Sequence, residues 1–229
     1  MGSSIGGICV KDNARLLESG SQNVAVSPSG KVAYYINETD YDNNISNLYR
    51  ISLSGGTVGQ PELYDSGVAY YTNIHRFIND NDYAYLKNYN KEAETADLYI
   101  NKELVESDYG IYSPQRPYEL SNYNEKFSYS PDYNDDTHSG TVKFYDKNKV
   151  TEIGKNIYDY FLLTDGRALY ISNYDSENEQ GELYEWSKGK TRKIDVGVKG
   201  IYSCVDTKYK SNYEEYFLQL KYHFNNHIE

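Results

Sequence analysis

The chain has 229 residues and a formal net charge of −11. Binding to a nucleic-acid backbone draws on clustered lysine and arginine, so this charge argues against a nucleic-acid partner. No apolar run of the sequence approaches the roughly 18 residues that a membrane helix needs, which argues against direct insertion into a membrane. The 28 tyrosines supply large rings with a polar end, and we expect them to form much of the core.

In chain order, residues 1–6 are typical of a leader or tag, and a repeated pattern follows them. Four segments align without gaps in their shared part: "SGKVAYYIN" (29–37), "NDYAYLKN" (81–88), "EKFSYSPD" (125–132) and "DGRALYISN" (165–173). Each places a tyrosine at the matching point, namely Tyr34, Tyr85, Tyr129 and Tyr170. A fifth and weaker copy, "EEYFLQLK" (214–221), has Leu218 at that point. Self-similarity of this kind indicates a repeat architecture.

A second strand signature follows each of the four tyrosines at a nearly constant distance. It reads "NLYRIS", "DLYINK", "TVKFYD" and "ELYEWS", and it places Leu48, Leu98, Val142 and Leu183 at matching points. A short strand that ends near a glycine comes next in every copy. Period-2 alternation, aromatic and β-branched enrichment, and Gly/Asn/Asp punctuation predict short antiparallel strands, whereas no helical stripe persists over 11 residues.

Each repeat therefore contains four strands, A to D, in roughly 40–50 residues, which is the size of a β-propeller blade. The chain start matches strands C and D, and the chain end matches strands A and B. We therefore predict an all-β, five-bladed β-propeller, closed by pairing of the N-terminal and C-terminal strands. The predicted boundaries are 7–19 (strands C and D of the closing blade), 20–67 (blade 1), 68–110 (blade 2), 111–156 (blade 3), 157–200 (blade 4) and 201–229 (strands A and B of the closing blade). A fragment cut from a six- or seven-bladed ring is the alternative.

Two motifs resemble those of known propellers. The turn and strand "DGRALY" at 165–170 and the segment "NLYRISLSGG" at 47–56 are similar to TolB-like and YWTD-like propeller repeats. The resemblance extends to repeat domains of unknown function in exported or membrane-anchored proteins of low-GC Gram-positive bacteria. It implies a partner-binding role and an extracytoplasmic location, with a cytoplasmic location as the alternative. Fold alone does not identify the partner.

The predicted hairpins between strands B and C are acidic. Their carboxylates are Glu38, Asp40, Asp42, Glu92, Glu94, Asp97, Asp132, Asp135, Asp136, Asp175, Glu177, Glu179 and Glu182. They are interpreted either as charges that keep surface hairpins soluble or as a rim that attracts a basic partner. The segments "DYNDDTHSG" and "NYDSENEQG" are reminiscent of calcium loops but lack the EF-hand spacing.

The predicted connections from strand D to the next strand A are rich in tyrosine. We predict a shallow peptide or sugar site there, because flat rings with a few polar groups suit such ligands. The candidate binding residues are Arg116, Tyr118, Glu119, Asp159, Tyr70, Tyr112, Tyr158 and Tyr202. The alternative for most of these tyrosines is that they fill the gaps between blades.

Function is predicted at the level of a binding module. We expect a noncatalytic, monomeric module that binds a protein, peptide or glycan without a cofactor or metal. The alternative is a glycoside hydrolase that uses Glu119 and Asp159, since such enzymes need two carboxylates roughly 5–9.5 Å apart. The sequence has no G-x-S-x-G elbow and no phosphate-binding loop, which argues against those two chemistries.

Overall fold

The computed structural model describes residues 7–10, 13–16, 21–53, 57–70, 74–111, 126–134, 136–163 and 166–201, with backbone pairing alone for the first two ranges. The chain divides into two compact units, Met1–Tyr112 (unit 1) and Ser113–Glu229 (unit 2). Every regular element in the described ranges is a β-strand, and every strand pair is antiparallel. The predicted all-β class is therefore confirmed. None of the described segments forms a helix that could cross a membrane.

Unit 1 contains a separate two-stranded pair and one larger sheet. The pair is β1 (Gly7–Val10) with β2 (Asn13–Leu16). The sheet contains β3 (Gln22–Val26), β4 (Val32–Asp40), β5 (Ile45–Ser52), β6 (Glu62–Ala69), β7 (His75–Phe77), β8 (Tyr83–Asn90), β9 (Thr95–Ile100) and β10 (Glu103–Gly110). Each strand from β3 to β6 pairs with the next, and β7 to β10 repeat this four-stranded meander.

Unit 2 contains one six-stranded sheet in chain order. Its strands are β11 (Lys126–Tyr129), β12 (Gly140–Asp146), β13 (Lys149–Leu162), β14 (Ala168–Asp175), β15 (Gln180–Ser187) and β16 (Lys190–Val198). The boundary predicted between residues 156 and 157 falls inside β13, whose first half pairs with β12 and whose second half pairs with β14.

The two units join consecutive repeats in the same way. In unit 1, Val68 of β6 pairs with Ser46 of β5 and also with Lys87 of β8. In unit 2, Ile157 of β13 pairs with Gly140 of β12 and also with Ser172 of β14. One residue at the end of a D strand therefore links strand C of its own repeat to strand B of the next repeat. This recurrence supports the repeat alignment from within the chain.

Tyrosine forms much of the core of unit 1, as the composition predicts. The rings of Tyr34 and Tyr83, from consecutive repeats, stack with centroids 4.2 Å apart, and both side chains are buried. In unit 2 a different pair of rings joins consecutive repeats: Phe144 and Trp186, both on C strands, meet edge to face at 5.3 Å. Such aromatic pairs contribute roughly 0.5–1.5 kcal/mol beyond the area that they bury. Consecutive repeats therefore pack face to face in each unit.

The strands predicted for residues 202–229 and for strand A of blade 3 lie outside the described residues, so the count of five blades and the closure remain predictions.

Candidate binding surface

The hairpins between predicted strands B and C share one turn. In each, an Asp or Asn side chain accepts a hydrogen bond from the backbone N–H three residues later, as Asp40 does from Asn43 at 3.1 Å. In each, the fourth residue after that side chain has a positive φ near 50°. The capping residues are Asp40, Asn90, Asn134 and Asp175, and the positive-φ residues are Asn44, Glu94, His138 and Glu179. Asx side chains are favoured in turns because they can replace a backbone acceptor.

A second polar contact fastens the base of each hairpin across nine residues. The pairs are Glu38 with Asn47, Asn88 with Asp97, Asp132 with Thr141 and Asn173 with Glu182. In the first repeat the carboxylate comes before the amide in the chain, and in the second repeat the amide comes first. The contact is therefore kept although the two residue types exchange positions. Such a pair fixes the register of the hairpin base.

Six of the thirteen predicted rim carboxylates accept hydrogen bonds within their own hairpins: Glu38, Asp40, Asp97, Asp132, Asp175 and Glu182. The Asn43 amide groups hold the pKa of Asp40 below its usual value, and Asn178 does the same for Asp175. Lys193, followed by Tyr184 and Asn173, lowers the pKa of Glu182 to about 2. Asp135 lies outside the described residues. Bonds to neutral amides leave the negative charge of Asp40 and Asp175 in place, so these contacts shape the turns, and both interpretations of the acidic hairpins stay open.

The end of each D strand lies beside the B-to-C hairpin of the same repeat, as the meander predicts. The N–H of Tyr70, directly after β6, donates to the carbonyl of Asn44 at 3.0 Å. The N–H of Ile111, after β10, donates to the carbonyl of Glu94 at 3.1 Å. The tyrosine-rich connections and the hairpins therefore share one end of the sheet in unit 1.

Tyr70 belongs to a polar aromatic cluster at this end, which we call the tyrosine clamp (Gln22, Tyr41 and Tyr70). The Tyr70 hydroxyl donates to Gln22 Oε1 at 2.8 Å, and Gln22 Nε2 donates to the Tyr41 hydroxyl at 3.1 Å. The Tyr41 and Tyr70 rings meet edge to face with centroids 5.3 Å apart. One amide thus fixes two rings through both of its polar atoms.

Tyr41 is the exposed member of the clamp. Its side chain is 64% exposed, which makes it the most exposed large hydrophobic residue among those the structure describes, whereas Tyr70 is half-buried. Tyr70 is among the candidate residues predicted from the sequence, whereas Tyr41 and Gln22 are not. The sequence signal for Tyr41 lies in the turn: the residue directly after the capping Asp or Asn is a tyrosine in this repeat, whereas it is Lys91, Asp135 or Ser176 in the other repeats. The tyrosine at this position is held by Gln22 and Tyr70 and is exposed to solvent.

The predicted residues of unit 2 lie in a packed environment. Tyr158 stacks on Tyr174 with centroids 3.6 Å apart, beside the buried Ile171 and Leu183. Asp159 is only 6% exposed, and its Oδ2 accepts the Ile201 N–H at 3.1 Å. This carboxylate therefore anchors the segment that follows β16. These contacts of Tyr158 lie within its own repeat, so the prediction that such tyrosines fill the gaps between blades stays a prediction.

Five candidate residues lie outside the described parts of the chain: Arg116, Tyr118, Glu119, Tyr112 and Tyr202. The distance between Glu119 and Asp159, which the hydrolase alternative needs, is for that reason not established. Among the described residues, no three His, Cys, Asp or Glu side chains form a group that could hold a metal ion.

No protein-family model matches the sequence, and neither does any curated protein sequence. Several solved structures are similar in fold. The β-propeller domain of the Trilobed protease from Pyrococcus furiosus has 12% identity and a TM-score of 0.46, and the match covers 80% of this chain and 59% of that one. A structure from a study of two prolyl endopeptidases has 10% identity and a TM-score of 0.48, covering 82% of this chain and 30% of that one. A eukaryotic initiation factor has 11% identity and a TM-score of 0.43, covering 85% of this chain and 52% of that one.

The chain thus spans 59% of the length of the first of these structures and 30% of the second. The predicted kinship with TolB-like and YWTD-like repeats in low-GC Gram-positive bacteria stays a prediction, since no family model supports it.

Proposed function

We propose that this protein is a noncatalytic module that binds a peptide or a glycan through the tyrosine clamp of unit 1. The observation that carries the proposal is the exposure of Tyr41, at 64%, although Gln22 and Tyr70 fix its position. A large ring that is ordered before binding offers contact area at a low cost in conformational entropy. Phenol hydroxyls and an amide next to the ring supply the directional contacts that a polar ligand needs.

The architecture that we propose for this module is the five-bladed propeller predicted from the sequence, closed by pairing of residues 7–19 with residues 201–229. The support comes from the recurrence of the same turn, the same hairpin-base contact and the same inter-repeat junction along the chain. A repeated four-stranded sheet cannot bury both faces alone, so neighbouring copies must cover it. The module is proposed to act as a monomer in an extracytoplasmic setting.

The clamp favours peptides and glycans over a purely electrostatic protein partner. In the hairpin that carries Tyr41, Glu38 and Asp40 are bonded to Asn47 and Asn43, and Asp42 follows Tyr41 directly. Contacts to the ring depend on area and shape, and they are less sensitive to salt than contacts between exposed charges. The proposal therefore predicts binding that persists at high ionic strength.

The test is a combined peptide and glycan array, probed with the full chain at low salt and at about 0.5 M salt. Hits are then titrated against Tyr41→Ala and against Leu63→Ala. Leu63 lies on β6 in the same unit and is 59% exposed, so it controls for the loss of a comparably exposed apolar side chain.

We expect Tyr41→Ala to weaken binding by about tenfold or more, corresponding to the roughly 1–3 kcal/mol typical of an aromatic anchor. Leu63→Ala should bind as the unmodified chain does. Equal binding by the two variants, or hits that disappear entirely at high salt, would contradict the clamp as the site. Hydrolysis of a bound glycan that is lost in Asp159→Asn would instead favour the glycoside hydrolase alternative.

A further inference from the structure

Two hairpins of unit 2 carry lysines on both sides of a tight turn. The hairpin between β12 and β13 reads "DKNKV", and the hairpin between β15 and β16 reads "SKGKT". Both are two-residue turns with positive φ at the two central residues: Lys147 (49°) and Asn148 (63°), and Lys188 (49°) and Gly189 (78°). This is the pattern of the type I′ turn, whose twist matches that of the flanking strands. The turns therefore present Lys147, Lys149, Lys188 and Lys190 at the ends of well-formed strands.

The core contact of unit 2 brings these two hairpins to the same end. Phe144 on β12 lies next to its hairpin and contacts Trp186 on β15, which adjoins the second hairpin. Both rings belong to one buried cluster, together with Val142 and Ile153. Phe144 lies three residues before Lys147 and Trp186 two residues before Lys188, so this ring contact places the two turns near each other at the same end of the strands. We call the four lysines Lys147, Lys149, Lys188 and Lys190 the basic end.

The four lysines of the basic end are exposed, and within the described part of the chain none has an ion-pair or hydrogen-bond partner for its side chain. Nearby cations differ in this respect. Arg167 and Arg192 both bind Glu185, at 2.8 and 2.7 Å, and Lys193 binds Glu182. Their positive charge is partly neutralised; at the basic end, Asp146 lies in register with Lys149 and offsets part of the charge, which leaves an excess of positive charge there.

Unit 1 shows that such a turn does not need free lysines. Its corresponding turn, between β9 and β10, has Asn101 and Lys102 at the positive-φ positions. It is followed by Glu103 rather than a lysine, and the Lys102 ammonium lies 4.4 Å from the centroid of the Tyr64 ring. A cation over a ring is already engaged. The excess of unpaired lysines is therefore a property of unit 2 and not of the turn type.

The acidic hairpin of unit 2 lies at the opposite end of the same strands. The turn between β14 and β15 carries Asp175, Glu177 and Glu179, and β15 then runs eight residues to the basic end. Eight residues of strand span roughly 26 Å, about three Debye lengths at physiological salt. The acidic hairpin therefore does not neutralise the basic end, although the chain as a whole is negative.

We propose that the basic end of unit 2 docks onto the surface of an anionic lipid bilayer. Exposed turns that point their lysines outward suit a flat charged surface, and each lysine near such a surface contributes about 1 kcal/mol. Binding takes place at the headgroups without insertion. Binding to the bilayer does not depend on the tyrosine clamp, so a result that contradicts one proposal leaves the other unaffected.

The experiment is co-sedimentation of the full chain with vesicles of pure phosphatidylcholine or of phosphatidylcholine with about 30% phosphatidylserine. The variants are Lys188→Gln/Lys190→Gln and Lys147→Gln/Lys149→Gln. The matched control, Lys31→Gln/Lys91→Gln, removes the same charge from exposed sites of unit 1. Circular dichroism and melting curves verify that each variant is folded.

We expect binding to the anionic vesicles alone, with a loss at about 0.5 M salt. Each basic-end variant should lower the partition coefficient roughly thirtyfold, since each lysine accounts for about fivefold. The control should change it by less than about twofold. Equal losses in the control, equal binding to neutral vesicles, or binding to soluble heparin or polyglutamate with none to anionic vesicles would each overturn the proposal.

Discussion

Unit 1 and unit 2 place different residues at the same junction between consecutive repeats. In unit 1, Asp65 of β6 accepts hydrogen bonds from the Tyr85 hydroxyl at 2.6 Å and from Lys87 Nζ at 2.7 Å. In unit 2 the corresponding residue is Gly154. The two positions match in register, because Asp65 pairs with Leu48 and Gly154 with Val142.

The glycine changes how the neighbouring ring is held. A Cβ atom built on Gly154 would lie 3.4 Å from the hydroxyl of Tyr170, the counterpart of Tyr85. The Tyr170 ring thus packs directly against the backbone, with no carboxylate between them. The junction of unit 1 depends on a partly buried polar network, whereas that of unit 2 depends on close packing, although the backbone pairing is the same in both.

The largest expected effect is the loss of the Asp65 network. Asp65→Ala removes the acceptor of the Tyr85 hydroxyl, and the Tyr85 side chain has no exposed surface on which water could replace that acceptor. The change also leaves Lys87 without its ion-pair partner. We expect unit 1 to lose about 3 kcal/mol of unfolding free energy, since a buried donor left unpaired costs about 1–3 kcal/mol and a charged partner adds to it. Urea denaturation at pH 7 measures the change.

Asp195→Ala is the matched control for this variant. Asp195 occupies the corresponding position on β16, pairing with Leu183, and its described hydrogen bond is to the backbone N–H of Val196. We expect it to cost less than about 1 kcal/mol. Similar losses for the two aspartates would contradict the role assigned to the Asp65 network.

Acid should weaken the same network. Burial works to raise the pKa of Asp65, but Lys87, Tyr85 and the Ser66 amide outweigh it and hold that pKa below its usual value. The folded state therefore retains the carboxylate at a pH where the unfolded chain would protonate it. The stabilisation is present above pH 4 or so and is lost as the pH falls through the lowered pKa.

A second position distinguishes the two units by the space that it leaves for a side chain. At the start of each strand C, the residue that pairs with the end of strand D is small in all four repeats: Ser46, Ala96, Gly140 and Gly181. Unit 1 accommodates a Cβ atom there and unit 2 does not. A Cβ atom on Gly181 would lie 2.6 Å from Ile171 Cγ2 and 2.9 Å from the carbonyl oxygen of Ser172.

Gly181→Ala should therefore destabilise unit 2 by about 2 kcal/mol, within the range of about 1–3 kcal/mol for overpacking a well-filled site. The backbone oxygen of Ser172 cannot move without breaking the β14–β15 ladder, so relaxation is limited. The reverse change, Ala96→Gly, should cost no more than about 1 kcal/mol, mainly through chain entropy. A melting temperature of Gly181→Ala equal to that of the unmodified chain would show that β14 and β15 are less closely packed than described.

The repeated tyrosines and the Leu48-type signatures predict the strands well. The reason is physical: Tyr34, Tyr85, Tyr129 and Tyr170 are all buried, so the alignment follows positions that the core constrains. The junction could not be predicted in the same way. Asp65 and Gly154 occupy equivalent positions in their sheets but are different residue types. Only the strand pairing shows that the two positions correspond.

The tyrosine clamp was predictable only in part, for a related reason. Tyr70 follows from the concentration of tyrosine in the connections between repeats. Gln22, however, comes close to Tyr41 and Tyr70 because β3 and β6 flank the β4–β5 hairpin. A single glutamine carries no sequence signal for such a contact. In the acidic hairpins the sequence shows the carboxylates but not their partners: Glu38, Asp40 and Asp175 bond to side chains or amides of their own turns, and only the structure shows those contacts.

The smallest of the expected effects concerns His75, which unit 2 replaces by Tyr160. The two residues correspond, because His75 pairs with Tyr85 and Tyr160 with Tyr170. His75 Nε2 lies 2.8 Å from the carbonyl oxygen of Ala69, so it carries the proton and donates, while the buried Nδ1 has no partner among the described residues. Tyr160 carries no group that titrates near neutral pH.

Burial lowers the pKa of His75 from 6.5 to about 4, although the bond to Ala69 acts in the opposite direction. Between these two values the unfolded chain binds a proton that the folded chain does not. The contribution of His75 to the stability of unit 1 should therefore be complete above about pH 7.5 and fall by about 1 kcal/mol between pH 7.5 and 5.5. His75→Gln retains a donor for Ala69 but does not titrate, so its stability should be flatter over this range in urea denaturation. An unchanged pH dependence in His75→Gln would mean that other groups cause the acid sensitivity, and that His75 and Tyr160 serve the same packing role in the two units.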